Sequence, residues 1–319
     1  MFEQNLKYLE AEIILAEPRG FCAGVDRAIS IVERILEIHG HPIYVKHEIV
    51  HNEHVVKNLQ NKGVVFVNNI CDIPKGRIVI FSAHGVSQSV KNEAYKRKLK
   101  VFDATCPLVT KVHREVIRLN KIGREIIMIG HRNHPEVEGT LGQVDKGIIH
   151  FVETFKDVNS LKVNNPENLS FVTQTTLSIN DSELIIKLLR KKFPNILGPK
   201  KDSDICYATQ NRQEAVQVLS KSCDLILVIG SKNSSNSNRL CEVAKNEGIQ
   251  SYLINDESEI NSSWLLNSKR IGITAGASAP EILVKNVIVQ LKKLGAISVR
   301  TIPGLKETVH FPLIKELAI

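Results

Sequence analysis

The chain has 319 residues, 43% of them hydrophobic and 24% charged, with a formal net charge of +8, a balance that suits a soluble globular protein of two or three domains and excludes intrinsic disorder. No apolar run approaches the roughly 20 residues that cross a bilayer, and Met1 to Gly20 lacks the basic start, apolar stretch and small-residue site of a secretory signal. The six cysteines are widely spaced with no CxxC pair, which argues against a secreted disulfide framework, and the scattered basic residues suit an anionic ligand better than nucleic acid.

Short Val/Ile-rich runs alternate with longer amphipathic stretches, the pattern of an α/β protein with mainly parallel strands. In chain order the reading places a strand at 12–16 and a helix at 23–38 opened by Cys22, then a strand at 43–46, a helix at 53–61, strands at 64–67 and 78–81, a helix at 88–98 and a strand at 100–103. A second set starts with a helix at 107–121 opened by Cys106, followed by strands at 125–129, 148–151 and 169–173 and a helix at 179–192. The third set starts with a helix at 208–220 opened by Cys206, followed by a strand at 224–229, a helix at 237–247, strands at 251–254 and 270–274 and a helix at 281–294.

The sets repeat in their chemistry as well. His51 lies 29 residues after Cys22, His134 lies 28 after Cys106, and Ser234 lies 28 after Cys206. Further on, an apolar run ends each time in small or polar residues: Ser82-Ala83-His84-Gly85, Thr173-Gln174-Thr175-Thr176 and Thr274-Ala275-Gly276-Ala277-Ser278. Three α/β units of roughly 85 to 100 residues follow, at 13–105, 106–204 and 205–294, with 1–12 and 295–319 expected to close the base. In such folds ligands sit beyond the carboxyl ends of the strands, where all these features fall. The fold expected is a trefoil of three pseudo-threefold-related α/β units meeting at one site.

Cys22, Cys106 and Cys206 each stand at the start of a helix, where free N–H groups and the helix dipole favour the thiolate that binds metal. Pro107 suits the first turn, which needs no N–H. Three buried thiols would be the ordinary reading of isolated cysteines, but equivalent repeat positions suggest a shared ligand role. An iron–sulfur cluster with one iron lacking a protein ligand, and a Cys3His zinc site, both remain open. Cys71, Cys223 and Cys241 do not recur and read as structural.

The run Ser231-Lys232-Asn233-Ser234-Ser235-Asn236-Ser237-Asn238 joins a buried strand to a helix and carries enough donors to hold a phosphate without a P-loop pattern. His51 and His84 occupy matching loops and can donate to a phosphate oxygen. In the loop His131-Arg132-Asn133-His134-Pro135-Glu136, Glu136 is the carboxylate best placed for proton transfer, set against the plain alternative of a first-turn Glu answering a helix dipole.

Taken with Pro18-Arg19-Gly20-Phe21-Cys22-Ala23-Gly24-Val25-Asp26-Arg27-Ala28, Val86-Ser87, Asp103-Ala104-Thr105-Cys106-Pro107 and Val137-Glu138-Gly139, these motifs closely resemble the 4-hydroxy-3-methylbut-2-enyl diphosphate reductase family, in order from about Ala16 to Leu283. The resemblance implies the last step of the non-mevalonate isoprenoid pathway: reductive removal of a hydroxyl from an allylic diphosphate, giving isopentenyl and dimethylallyl diphosphates. It implies a trefoil around a 4Fe-4S cluster held by Cys22, Cys106 and Cys206, with one open iron that takes the substrate oxygen as alkoxide. It assigns the diphosphate to His51, His84, Ser234, Asn236 and Ser278 with Ser235 beside them, places His134 between the diphosphate and the reacting hydroxyl, and gives Thr175 and Glu136 the task of holding and protonating that hydroxyl. Ferredoxin or flavodoxin is the implied electron donor. A monomer is expected, in the bacterial cytoplasm or a plastid-type organelle reached by a removed targeting segment. Glu17 departs from the Asn common before Pro-Arg-Gly-Phe-Cys, and the tail Thr308-Val309-His310-Phe311-Pro312 matches only loosely. Two rival functions are a non-redox iron–sulfur hydro-lyase, which needs no reductant, and a metal-sensing or phosphate-binding regulator, which forms no product.

Overall fold

The structure is a computed structural model and describes residues 10–145, 147–200, 203–266 and 268–317. Its strands and helices follow in the order β1 (Glu12–Leu15), α1 (Ala23–His39), β2 (Ile43–Lys46), α2 (Glu53–Asn61), β3 (Val64–Val67), β4 (Ile78–Phe81), α3 (Gln88–Lys96), β5 (Lys100–Asp103), α4 (Pro107–Lys121), β6 (Glu125–Ile129), α5 (Pro135–Leu141), β7 (Ile149–Val152), α6 (Phe155–Ser160), β8 (Leu169–Thr173), α7 (Ile179–Lys192), α8 (Tyr207–Ser220), β9 (Leu225–Ile229), α9 (Ser235–Asn246), β10 (Gln250–Ile254), β11 (Arg270–Ala275), α10 (Glu281–Lys293) and β12 (Ser298–Thr301).

These strands form three parallel sheets, with orders β10-β9-β11-β1-β12, β3-β2-β4-β5 and β7-β6-β8. Residues Glu125–Ile129 and Leu225–Ile229 are buried along their whole length, because parallel strands are covered by helices on both faces and so read as unbroken apolar runs. Alternation sorts the side chains between those faces. Ile13 and Leu15 of β1 pack with Leu283, Val287 and Leu291 of α10, while Ile14 points the other way, toward Val216 and Leu219 of α8 and Leu240 of α9. In the smallest sheet, Ile127, Ile129 and Phe171 meet Ile185 and Leu189 of α7, and Ile126 and Met128 meet Val112 and Val116 of α4.

By backbone contacts the chain divides into two compact units. The first comprises the N-terminal stretch through Cys22, His51–Val55 and Tyr207–Val309, and contains the five-stranded sheet. The second comprises Ala23–Val50, Val56–Cys206 and the tail from His310, and contains the other two sheets.

Every strand and helix expected from the sequence is present within about two residues, but the strand that heads the first repeat lies elsewhere. β1 pairs with β11 and β12, in the sheet whose β9, β10 and β11 come from the third repeat. In the 295–319 segment, β12 runs parallel to β1, and Ile302 N–H donates to Leu15 O at 3.0 Å, which carries the chain past the carboxyl edge of the sheet. Of the segments expected to close the base, residues 1–9 and 318–319 lie outside the described residues. Two short helices, α5 and α6, are added where loops had been read.

All three sheets share one feature of topology. The strand that comes first in its lobe, β2, β6 or β9, is flanked by the next strand on one side and the one after on the other. The connections therefore leave in opposite directions, and a crevice opens at the carboxyl ends of β2/β4, β6/β8 and β9/β11.

Candidate active site

The three repeat cysteines are anchored by the same backbone hydrogen bond. The N–H of Cys22 donates to Ala277 O at 3.1 Å, that of Cys106 to Ala83 O at 3.0 Å and that of Cys206 to Thr175 O at 3.0 Å. Each acceptor stands two residues past the end of a strand, β11, β4 or β8. The residue two before each cysteine is tied to the last residue of the same strand: Gly20 N–H to Ala275 O, Ala104 N–H to Phe81 O, and Asp204 N–H to Thr173 Oγ1. The cysteine loops therefore continue the parallel ladder past the strand ends, which is why all three fall at the carboxyl edge of a sheet.

Each cysteine then leads into a helix. Cys106 is the N-cap residue of α4 with Pro107 in the first turn, and Cys22 and Cys206 immediately precede α1 and α8. None of the three is in a disulfide and all are partly exposed, whereas Cys223 and Cys241 are buried. Burial pushes both of those thiols up to about 12, so they stay protonated and inert. The recurring trio thus offers accessible soft donors, as an iron–sulfur cluster requires. Among the described residues no group of three His, Cys, Asp or Glu side chains is arranged to hold a metal ion.

In the second unit the ends of β6 and β8 bring Glu136 and Thr175 together. Glu136 lies in the first turn of α5 and is only 2% exposed. Its carboxylate accepts from Thr175 N–H at 2.7 Å and from Thr175 Oγ1–H at 2.8 Å. Desolvation raises its pKa to about 7, against the opposing pull of the two Thr175 bonds, with a further rise from Asp204. A Glu that merely answered the helix dipole would be exposed and no less acidic than usual, so its burial makes Glu136 a candidate for proton transfer.

Thr175 also connects this carboxyl to a cysteine, since its carbonyl holds the Cys206 N–H. Gln174, fully buried, fixes the turn by accepting from His131 N–H at 2.9 Å and donating to Thr176 Oγ1 at 2.9 Å. His134 is the N-cap of α5, and its Nδ1 accepts from Glu136 N–H at 3.2 Å. That contact assigns the neutral ring's proton to Nε2, a donor suited to an anionic ligand. The rings of His84 and His134 meet edge to face with centroids 5.7 Å apart. Two residues before Cys206, Asp204 exchanges hydrogen bonds with Thr173, and burial pushes its pKa up to about 6.

In the first unit the ends of β9 and β11 frame the N-terminus of α9. Ser234 caps that helix and accepts from Ser237 N–H and Ser237 Oγ–H at 3.3 and 3.0 Å, and Ser235 is its first residue. Asn236 Oδ1 accepts from Ala277 N–H at 2.8 Å, while its Nδ2 is buried with no hydrogen-bond partner among the described residues. Leaving a buried donor unmade is costly, and a phosphate oxygen would satisfy it. Ser278 Oγ donates to His51 O at 2.8 Å, which joins the 51 loop to the end of β11. Gly230 and Gly276 are needed here, since a Cβ on either would overlap Ser237 Oγ.

Several supporting residues carried no sequence expectation. Asn52 caps α2, its Oδ1 accepting from Val55 N–H at 3.0 Å. An Asn just ahead of a helical pattern is a readable capping signal. Asp204 had no such signal, because its partner Thr173 lies 31 residues away at the end of β8.

The sequence profile of the LytB protein family matches residues 13–292. Among curated relatives, the 4-hydroxy-3-methylbut-2-enyl diphosphate reductase of Bordetella bronchiseptica is 61% identical over 318 residues, 100% of this chain and 97% of the relative. The enzyme of that name from an Azoarcus species is 60% identical over 306 residues, 96% of this chain and 97% of the relative. Among solved structures, the E-1-hydroxy-2-methyl-but-2-enyl-4-diphosphate reductase from Plasmodium falciparum superposes with a TM-score of 0.92 at 40% identity, covering 97% of each chain.

Proposed function

Because the chain belongs to the LytB protein family, we propose that it is an enzyme reducing (E)-4-hydroxy-3-methylbut-2-enyl diphosphate to isopentenyl and dimethylallyl diphosphates, the terminal step of the non-mevalonate pathway. The observation that carries this reading is the buried Glu136–Thr175 pair, a carboxyl titrating near neutrality whose partner's backbone holds a candidate cluster ligand.

In the reaction one C–O bond breaks and one C–H bond forms: two electrons and two protons are consumed, one proton leaving with the hydroxyl as water and the other bonding to either end of the allyl carbons, which gives the two products. A 4Fe-4S cluster held by Cys22, Cys106 and Cys206 would supply one-electron delivery and Lewis acidity, with a protein of the ferredoxin or flavodoxin class as the external donor. The rest falls to the chain's own side chains. With a pKa near 7, Glu136 is populated in both protonation states at working pH, the condition under which a general acid is most effective. When protonated, Glu136 can donate to Thr175 Oγ1, which turns its own hydrogen toward the substrate hydroxyl and passes on the proton with which it departs. The two Thr175 bonds that steady the carboxylate then receive it back after transfer.

Ser234, Ser235, Asn236 and Ser278, with His51, are assigned to the diphosphate. The supporting features are the position of these residues at the start of α9, the unmatched Asn236 amide and the hydroxyls on that turn. His84 and His134 are assigned to the same anion, His134 through its Nε2–H.

The test is anaerobic purification and reconstitution followed by incubation with the substrate and a chemical reductant. Both diphosphate products should form, and only with reductant present. Product formation without reductant would favour a hydro-lyase, and no product under either condition would favour a binding protein.

A further inference from the structure

Arg212, on α8, is the bulkiest fully buried side chain among the described residues. Its guanidinium is spent almost wholly on backbone carbonyls: Nε and Nη2 donate to Gly20 O at 3.1 and 2.8 Å, Nη2 also to Phe21 O at 3.3 Å, and Nη1 to Ala208 O at 2.9 Å. The counter-charge comes from the C-terminal tail. Glu307 Oε1 lies 3.0 Å from Nη1 and Oε2 lies 3.2 Å from Nη2, and Asn211 Nδ2 donates to the same carboxylate at 2.9 Å.

A buried ion pair contributes little net stability compared with well-packed apolar side chains, so its presence calls for a role beyond holding the fold together. The carbonyls facing the guanidinium belong to the two residues immediately ahead of Cys22. Gly20 has φ of +68° and its N–H is tied to β11; that left-handed conformation is one only glycine adopts readily, and it leaves the carbonyl with Arg212. Cys22 N–H is bonded to Ala277 O, so the peptide groups leading to this cysteine are held from both sides. The tail reaches Arg212 through a close backbone approach: a Cβ on Gly304 would overlap the Glu17 carbonyl.

We propose that Arg212 and Glu307 are positioning residues that clamp the Cys22 loop and fix the thiolate for its iron, an inference that rests on Cys22 being a cluster ligand. The tail is then part of the ligand-holding apparatus. Arginine is specific here because its planar fork serves three carbonyls and a carboxylate at once, which a lysine ammonium cannot do.

The test compares Glu307→Ala, Glu307→Gln and Arg212→Lys with the parent after anaerobic reconstitution. Lys306→Ala serves as an exposed neighbour control, and Val287→Ala destabilises the same unit away from the clamp. Two readouts are taken besides activity: the rate at which a chelator removes iron, and the electron paramagnetic resonance spectrum of the reduced protein. Loss of a partner behind a metal ligand typically weakens metal holding by about 10- to 100-fold, so Glu307→Ala and Arg212→Lys should release iron about tenfold faster or more and show a broadened spectrum. Glu307→Gln, which keeps an acceptor oxygen, should fall between them and the parent; it carries the test by itself if the harsher variants do not fold. Lys306→Ala should match the parent, and Val287→Ala should lower the melting temperature without hastening iron release. Parent-like release and spectra in the folded clamp variants overturn the proposal. Cys22→Ser separates the two layers: unchanged iron content and spectrum there would remove the ligand reading itself, whereas a changed Cys22→Ser beside parent-like Glu307 variants would remove only the clamp.

Discussion

At the residue scale the chemistry concentrates on Glu136, whose environment sets two measurable quantities. Replacing it with Gln keeps the shape but leaves no acid, so turnover should fall by about 10²- to 10⁴-fold, the usual range for a lost general acid, with iron content unchanged; near-parent turnover would take the proton-donor role away from it. The second quantity is stability against pH. The folded-state pKa of about 7 lies above the ordinary 4.5. Below the lower value the carboxyl is protonated in both states and costs nothing. Between the two, the unfolded chain ionises first and the folded state loses relative stability, and above the upper value the loss is constant. A shift of this size corresponds to on the order of 3 kcal/mol. Urea midpoints measured across this range should therefore fall more steeply with pH for the parent than for Glu136→Gln, and parallel profiles would contradict the assigned environment. Glu136 was legible in the sequence only as a candidate, because its partner Thr175 lies 39 residues away and nothing local shows that the carboxyl is buried.

At the element scale, the start of α9 depends on how closely it approaches the strand ends. Gly276 lies so close to Ser237 that a methyl group must displace the turn, and Gly276→Ala should raise KM for the diphosphate more than it lowers kcat; an unchanged KM would show that the turn does not hold the anion. The same scale shows where sequence patterns were sufficient. Long apolar strands such as 125–129 and 225–229, and amphipathic helices such as 107–121, were readable because period and length agree. Short elements were not. α5 has only seven residues, with a glycine inside, and offers no helical period to count. α6 is shorter still, and the capping box of Thr154 and Asp157 around its first turn is the sequence signal it carries.

At the scale of the whole molecule, the repeat of cysteine, cap and strand-end loop was visible in the numbering, and the structure gives it a physical basis in three matching amide-to-carbonyl bonds. The place of the terminal segments was not visible, because β1 and β12 find their partners hundreds of residues away and no local pattern encodes that pairing. β12 is largely exposed and polar, so it reads as loop until its neighbour is known. Truncation after Leu294 would strip β1 of one neighbour, uncover Ile302's site beside Leu15 and leave Arg212 buried without its counter-charge. Such a chain should express mainly as insoluble protein or melt well below the parent; full solubility with an unchanged melting temperature would contradict the role given to the tail. The central proposal is that Cys22, Cys106 and Cys206 together hold one iron–sulfur cluster. Iron and acid-labile sulfide, measured per chain on anaerobically reconstituted parent and on Cys22→Ser, Cys106→Ser and Cys206→Ser, test it most directly. The account predicts one 4Fe-4S cluster in the parent and loss or degradation of it in each of the three variants. A colourless parent that still turns over substrate, or any of the three variants retaining a full and unaltered complement, would contradict it.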